Sequence, residues 1–311
     1  MITMRDAFGQ ALVDLAQIRN DFVVLDADVA GGTGVAPFRD TFRDRFIQCG
    51  IAEQNMVSAA AGLSTTGVIP IVTCYAVFAA MRALDQVRNS IAYPNFNVKI
   101  ASSHLGLDVG PDGPTHQCLE DIAIFRSIPN FTVVSPASPM ELRPALECIL
   151  DMKGPVYFRT GRSPLPEIYE TPPVFQVGRG DVLRNGKDVT IVACGVEVAR
   201  ALDAAELLLQ EGISARVVNM STIKPLDVDL IIRCAHVTGC FVTAEDHNIY
   251  GGLGSAVAEV LVQNNPCPIE FVGVRDIFCE SGESDDLAEK YGLTGSFIAT
   301  AAKRVLSRKG R

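Results

Sequence analysis

Short apolar runs alternate with segments of helical periodicity along the whole chain. The near-continuous hydrophobicity of these runs is typical of strands in a parallel sheet that helices cover on both faces. In the first half, the predicted strands are Phe22–Asp26, Ile47–Gly50, Val68–Cys74, Val98–Ser102, Phe131–Ser135 and Val156–Arg159. In the second half, they are Val189–Ala193, Ala215–Asn219, Phe241–Ala244 and Glu270–Val274.

Helical patterns lie between these strands. Phe8 begins an apolar stripe near the N-terminus, and Ser138 with Glu141 forms a capping box ahead of another. Further helices are predicted at Val198–Gln210, Asp229–Ala235, Ser255–Val262 and from Ser296. Prolines and glycines interrupt the pattern between residues 163 and 187. We therefore predict an α/β fold with two doubly wound domains, 1–165 and 188–311, joined by a linker at 166–187.

Composition narrows the class of protein. The formal net charge of −9 argues against a nucleic-acid-binding surface. The nine cysteines are odd in number and include no C-x-x-C pair, which favours reduced thiols. The N-terminal residues lack an apolar signal segment, and no run approaches the length of a membrane span. We expect a cytoplasmic protein that binds neither membrane nor nucleic acid.

Residues that could take part in catalysis or ligand binding follow three of the predicted strands. Glu53 opens a helix, although the helix dipole alone would explain a carboxylate there. Tyr75 and Phe78 are three residues apart, a spacing that places both on one helical face. The loop 104–117 is rich in glycine and proline and contains two of the four histidines. It follows a strand, at the edge where doubly wound sheets bind their ligands.

Five motifs occur in the order found in the transketolase family. They are Gly50-Ile51-Ala52-Glu53-Gln54-Asn55-Met56, Asp112-Gly113-Pro114-Thr115-His116-Gln117, Arg126-Ser127-Ile128-Pro129-Asn130, Thr222-Ile223-Lys224-Pro225-Leu226-Asp227 and Thr243-Ala244-Glu245-Asp246-His247-Asn248. The chain resembles the pyrimidine-binding and C-terminal domains of this family over essentially its whole length. The resemblance is closest to the C-terminal subunits of split transketolases.

The resemblance implies thiamine diphosphate (ThDP) as the cofactor. Glu53 matches the catalytic glutamate that hydrogen-bonds the pyrimidine nitrogen N1′. Tyr75 and Phe78 match aromatic residues that pack against the pyrimidine ring. His116 matches a catalytic histidine near the reactive face of the cofactor, and Asp28 matches an aspartate lining the cofactor cleft.

The resemblance also implies a substrate site. Arg5, His104 and Arg162 match a clamp on the sugar phosphate, a role that suits guanidinium groups because they form charge-assisted hydrogen bonds with phosphate. Asp112 matches an aspartate that contacts the sugar hydroxyl next to the carbonyl. Arg159 is a further candidate, with a structural role at a strand end as the alternative.

Two departures from the family pattern concern the substrate. Gly32 stands where the family often has a serine of the phosphate clamp, and Pro111 stands where it commonly has a glutamate. The missing serine hydroxyl removes one donor, although Thr33 or the backbone N–H groups of a glycine-rich loop could replace it. We expect a ketose donor and an aldose acceptor, either as sugars or as sugar phosphates.

The diphosphate half of a ThDP site is missing from the sequence. In the family, a Gly-Asp-Gly motif and a later asparagine hold the diphosphate through a divalent metal. The nearest approach here is Gly180-Asp181-Val182. We therefore predict no metal ligand in this chain and a partner, the N-terminal diphosphate-binding transketolase subunit, that holds Mg²⁺ or another divalent metal. Family precedent suggests an α2β2 assembly.

The predicted function is the transfer of a two-carbon ketol unit by a split transketolase. One alternative is the beta subunit of a 2-oxo acid dehydrogenase, which shares the two-domain layout. The motif 112–117 and the arginine clamp count against it. The other alternative is a non-catalytic, transketolase-like scaffold subunit, and the presence of Glu53 and His116 counts against that.

Overall fold

The structure is a computed structural model, and it describes residues 2–309. The elements of the first half are α1 (Met4–Ile18), β1 (Phe22–Asp26), α2 (Ala30–Thr33), α3 (Ala36–Thr41), β2 (Phe46–Gln48), α4 (Glu53–Ser64), β3 (Ile69–Tyr75), α5 (Leu84–Gln86), β4 (Lys99–Ser103), α6 (Asp121–Ser127), β5 (Thr132–Val134), α7 (Pro139–Asp151) and β6 (Val156–Arg159). Two π-helical turns, Phe78–Arg82 and Val87–Ala92, flank α5. Short 3-10 turns cover Arg43–Arg45 and Gly106–Asp112.

The second half repeats the alternation. Its elements are β7 (Asp181–Arg184), β8 (Val189–Ala193), α8 (Glu197–Gln210), β9 (Ala215–Asn219), β10 (Thr222–Lys224), α9 (Val228–Thr238), β11 (Phe241–Asn248), α10 (Leu253–Asn264), β12 (Ile269–Val274), α11 (Ser284–Tyr291) and α12 (Gly295–Leu306). Between residues 2 and 309, no helix has the length and apolar character needed to cross a bilayer.

The first sheet has seven strands in the order β10-β5-β6-β4-β3-β1-β2. The six strands from the first half are parallel, so their carboxyl ends meet at one edge. The seventh strand, β10, comes from the second half and pairs antiparallel with β5. The two halves are therefore joined by backbone hydrogen bonds as well as by side chains.

The second sheet has five strands in the order β12-β11-β8-β9-β7. Four are parallel, and β7 closes the edge as an antiparallel strand. Ile191 and Ala193 pack with α8 and α12, whereas Val192 packs with α9 and α10. Because side chains alternate along a strand, helices cover both faces of this sheet. The predicted fold class, two doubly wound α/β units, is confirmed.

Two short edge strands were not predicted. β7 lies inside the region 166–187 that was predicted to be a linker, and β10 lies inside the motif at 222–227. Both are too short to show an apolar run, and both pair antiparallel at a sheet edge. The domain limits 1–165 and 188–311 stay a prediction.

Candidate active site

Three predicted site residues meet at the carboxyl edge of the first sheet. Tyr75 ends β3 and lies opposite Ser103, the last residue of β4. The ring of His104, the next residue, therefore stacks on Tyr75 with centroids 3.7 Å apart. Asp28 follows β1 at the same edge, is exposed and has a positive φ of 66°. Left-handed backbone at a residue other than glycine is uncommon and often marks functional sites.

Glu53 is the first residue of α4 and is only 2% exposed. Arg82 Nη1 lies 2.9 Å from each of its two carboxylate oxygens. The Arg82 guanidinium also lies 4.4 Å from the centroid of the Phe78 ring. A half-exposed cation thus satisfies a buried carboxylate while covering an aromatic face.

Sequence reasoning missed Arg82. It lies four residues after Phe78, a spacing that brings side chains together on a helix. The backbone there forms a π-helical turn, which apolar periodicity does not predict and which is frequent at functional sites. Any ligand that hydrogen-bonds Glu53 has to share that carboxylate with Arg82.

An aromatic wall continues from Glu53 toward the loop after β4. The rings of Tyr75 and Phe78 are 5.9 Å apart and nearly parallel. The His116 ring meets both edge-on, at 6.2 Å from Tyr75 and 5.6 Å from Phe78. Thr115 Oγ1 lies 2.9 Å from His116 Nδ1 and fixes the orientation of the ring. The structure therefore brings the predicted catalytic histidine, His116, next to two of the predicted cofactor-binding residues, Tyr75 and Phe78.

His104 is buried between polar groups. Its Nδ1 lies 2.9 Å from Ser103 Oγ, and its Nε2 lies 3.8 Å from Asp112 Oδ2. The pKa of His104 is lowered to about 4, mainly by burial; Arg162 and Arg5 contribute to the lowering, and Asp112 opposes it. His104 is thus a neutral imidazole near pH 7, and its contact with Asp112 is not an ion pair.

Arg5 and Arg162 are brought to the same side by backbone pairing. Met4 N–H donates to the Ser163 carbonyl at 3.2 Å, which joins the start of α1 to the segment after β6. Arg162 Nη1 donates to the Val109 carbonyl. Arg5 Nε is buried and has no hydrogen-bond partner within residues 2–309. A buried donor without a partner is costly, so this group is suited to a ligand.

Thr33 was expected to replace the hydroxyl missing at Gly32, and the structure argues against it. Its side chain is 1% exposed, and its hydroxyl donates to the Val29 carbonyl at 3.1 Å. The hydroxyl therefore satisfies the turn of α2 and is not available to an anion in the cleft.

The second half of the chain supports the loop 104–117. The Asp246 carboxylate, on β11, accepts hydrogen bonds from the backbone N–H groups of Leu107 at 2.8 Å and Asp108 at 3.2 Å. Gln117 Nε2 donates to the Glu280 carbonyl at 3.0 Å. The second half of the chain thus supports the loop that carries Asp112 and His116 from two places, β11 and the segment between β12 and α11.

Of the two roles considered for Arg159, the contacts of its side chain favour the structural role at the end of β6. Arg159 is 2% exposed, and its Nε donates to Asp121 Oδ2 at 2.9 Å. Its Nη2 donates to the Asp246 carbonyl at 3.0 Å, across the two halves of the chain. Arg159 therefore anchors β6 to β11 and is not free to bind an anion.

The part of the chain that the structure describes contains no group of three or more His, Cys, Asp or Glu side chains placed to hold a metal ion. Its nine cysteines are all free thiols. Burial raises the pKa of several of these thiols, including Cys74 beneath Glu53, which makes them poor nucleophiles. The groups that this chain brings to the candidate site are carboxylate, imidazole, guanidinium and aromatic side chains.

Comparison with known proteins agrees with this arrangement. The family "Transketolase, pyrimidine binding domain" matches residues 1–167, and "Transketolase, C-terminal domain" matches residues 178–298. The chain is 44% identical to a 6-deoxy-6-sulfo-D-fructose transketolase subunit of Clostridium sp. (strain MSTE9), with 98% of this chain and 95% of the relative covered. It is 37% identical to an apulose-4-phosphate transketolase subunit of Phocaeicola vulgatus, with 97% of each chain covered.

One solved structure has nearly the same fold. It is described as a split gene transketolase, inactive beta4 tetramer, and is 48% identical to this chain. The TM-score is 0.93, with 99% of this chain and 100% of the other covered. The two-sheet arrangement therefore has a counterpart of the same length.

Proposed function

The chain belongs to the transketolase family, and we propose that it is the subunit of a split enzyme that supplies the pyrimidine half of a ThDP site. With a partner subunit, it transfers a two-carbon ketol unit from a ketose to an aldose. The observation that carries this proposal is the buried Glu53 carboxylate beside the Tyr75–Phe78–His116 wall. When bound, ThDP supplies the nucleophilic carbon for the transfer.

The residues present fit a pyrimidine ring. Glu53 is a buried carboxylate able to share a proton with a ring nitrogen, and Phe78 offers a flat apolar face. Arg82 already makes both kinds of contact, with Glu53 and with the Phe78 ring. A planar nitrogen-bearing group is therefore compatible with these partners, and Arg82, half exposed, can make room for it.

The remaining residues act on the sugars. His116 moves protons at the donor hydroxyl, a role suited to an imidazole because its ring nitrogens can accept and donate a proton. Asp112 holds the hydroxyl next to the carbonyl. Arg5, His104 and Arg162 bind the distal end of the sugar, where two cations favour an anionic group. Asp28 lines the cofactor cleft.

The partner supplies what this chain lacks. The sequence has no Gly-Asp-Gly motif, so we place the diphosphate and its Mg²⁺, or another divalent metal, on an N-terminal transketolase subunit in an α2β2 assembly. Two relatives that match this chain over nearly their whole length are named as transketolase subunits, which supports a partner. The free cysteines fit a reducing compartment, and we place the enzyme in the cytoplasm.

Reconstitution tests the proposal. The chain is mixed with a partner that carries Gly-Asp-Gly and a later asparagine, together with ThDP, Mg²⁺, a ketose phosphate and an aldose phosphate. We expect an aldose phosphate two carbons shorter than the donor and a ketose phosphate two carbons longer than the acceptor, both detected by mass spectrometry. The same mixture is assayed with pyruvate and an artificial electron acceptor. Turnover of pyruvate without ketol transfer would assign the chain to a 2-oxo acid dehydrogenase instead.

A further inference from the structure

Resting on the proposed function, we propose that the Tyr75 hydroxyl is a specificity-determining group that binds the terminal oxyanion of the sugar substrate. It lies in the space that a side chain at position 32 would occupy. The substrate class is a sugar ending in a tetrahedral oxyanion, a phosphate or a sulfonate. Because Gly32 leaves this space to the Tyr75 ring, the glycine at position 32 and the tyrosine at position 75 depend on each other.

Gly32 and Tyr75 are in close contact. A Cβ atom added at Gly32 would lie 2.2 Å from Tyr75 Oη and 2.8 Å from Tyr75 Cε1. These distances are far below van der Waals contact, so a residue with a side chain at position 32 and this placement of the ring exclude each other. The φ angle of Gly32 is not in the left-handed region, so the backbone conformation does not require a glycine there. What requires it is the lack of room for a side chain beside the Tyr75 ring.

The Tyr75 ring is fixed in this position from two sides. It ends β3 opposite Ser103, and it stacks on His104 at 3.7 Å. Ser103 Oγ also lies 3.4 Å from the Gly32 carbonyl, which connects the end of β4 to the turn of α2. These contacts therefore hold the Tyr75 hydroxyl next to the turn of α2.

Charges of both signs act on the Tyr75 hydroxyl. Burial raises the pKa of Tyr75 and Asp112 raises it further, while Arg162 and Arg5 oppose them. Tyr75 thus remains a neutral O–H donor near pH 7, with two guanidinium groups close enough to act on it. Arg5 Nε is buried without a partner in the described chain. One neutral donor and two cations are the groups that bind a tetrahedral oxyanion.

Other hydroxyl groups at the turn are already used. Thr33 donates to the Val29 carbonyl, and Ser103 is shared between His104 Nδ1 and the Gly32 carbonyl. The Tyr75 hydroxyl, in contrast, lies against Gly32, which has no side chain that could bond it. Tyr75 therefore supplies the donor that the glycine at position 32 removes.

Kinetics of the reconstituted complex test the inference. Tyr75→Phe keeps the ring and its stacking on His104 and removes only the hydroxyl. For phosphorylated and sulfonated sugars we expect KM to rise about tenfold to a hundredfold, the usual worth of a hydrogen bond to a charged group, with kcat nearly unchanged. For unphosphorylated sugars of the same length, KM should rise much less than for the anionic sugars, so the loss depends on the anionic group. Tyr250→Phe, on an exposed tyrosine, is the matched control.

A second variant tests the link between the two positions. Gly32→Ala adds the methyl group that the ring excludes, so it should displace the hydroxyl and weaken binding of anionic sugars. In the Tyr75→Phe background the same change should cause no further loss of anion preference. Independent, additive losses in the double variant would overturn the link.

Binding of inorganic phosphate, followed by ³¹P NMR on the chain, separates this inference from the proposed function. We expect saturable binding that Tyr75→Phe weakens and Tyr250→Phe does not. If the complex transfers no ketol unit but phosphate binding depends on Tyr75, the proposed function fails and the anion site stands. Equal phosphate binding in all three chains, or an equal kinetic loss with anionic and neutral sugars, overturns the assignment of the hydroxyl. A difference between the phosphate and sulfonate substrates identifies which oxyanion the site prefers.

Discussion

Glu53→Gln is expected to lower kcat of the reconstituted complex by about a hundredfold or more, the range that acid–base groups contribute. Glutamine keeps the shape of the side chain and an oxygen for the Arg82 guanidinium, but it cannot exchange a proton with a ring nitrogen. The loss should therefore appear in catalysis while the subunits still assemble. Steady-state kinetics and size-exclusion chromatography measure the two effects on the same sample.

The control for this variant is Glu147→Gln, which makes the same chemical change on the exposed side of α7. It should leave kcat and assembly unchanged. Full activity in the Glu53→Gln complex would remove this residue from the mechanism and would favour a role for the chain as a scaffold. Loss of assembly together with activity would indicate a structural role for Glu53 instead.

Arg159→Met is expected to lower the free energy of unfolding by about 3–5 kcal/mol, the usual cost of removing one partner from a buried ion pair. Asp121 is fully buried, and the Tyr157 hydroxyl would remain as its partner at 2.7 Å. The substitution also removes the hydrogen bond to the Asp246 carbonyl that connects the two halves. Urea unfolding followed by circular dichroism measures the change.

Two further variants help to interpret the change in the free energy of unfolding of Arg159→Met. Arg143→Met removes an exposed arginine that pairs with Asp14, and it should cost at most about 1 kcal/mol. The double variant Arg159→Met with Asp121→Asn should lose less than Arg159→Met alone, because the uncompensated buried charge is gone. A loss below that of Arg143→Met would mean that the ion pair with Asp121 does not stabilise the fold.

The long parallel strands were predictable, because buried strands appear as apolar runs. The aromatic wall was not predictable from spacing alone, because Tyr75 ends β3 and His116 comes from a loop distant in sequence. The choice between two roles for Arg159 was not predictable. It depends on Asp121 and Asp246, which lie far away in sequence and meet only in the folded chain.

The details of the site depended on contacts that no single-sequence pattern contains. Arg82 lies in a π-helical turn and contacts Glu53, 29 positions away in sequence, and Thr33 is unavailable because its hydroxyl bonds within the turn of α2. In the sequence, Gly32 indicated only the loss of the serine hydroxyl as a hydrogen-bond donor. Its contact with Tyr75, 43 positions later in the sequence (75 − 32), became apparent only when β3 and α2 were placed side by side.

We propose that this chain carries only the pyrimidine half of a cofactor site. Calorimetric titration of ThDP and Mg²⁺ into the isolated chain, into the partner and into the mixture tests it most directly. Tight, saturable binding should occur only in the mixture, and Glu53→Gln should weaken it there. Binding by the isolated chain that is as tight as binding by the mixture would contradict the account, because the diphosphate and its metal would then need no second subunit.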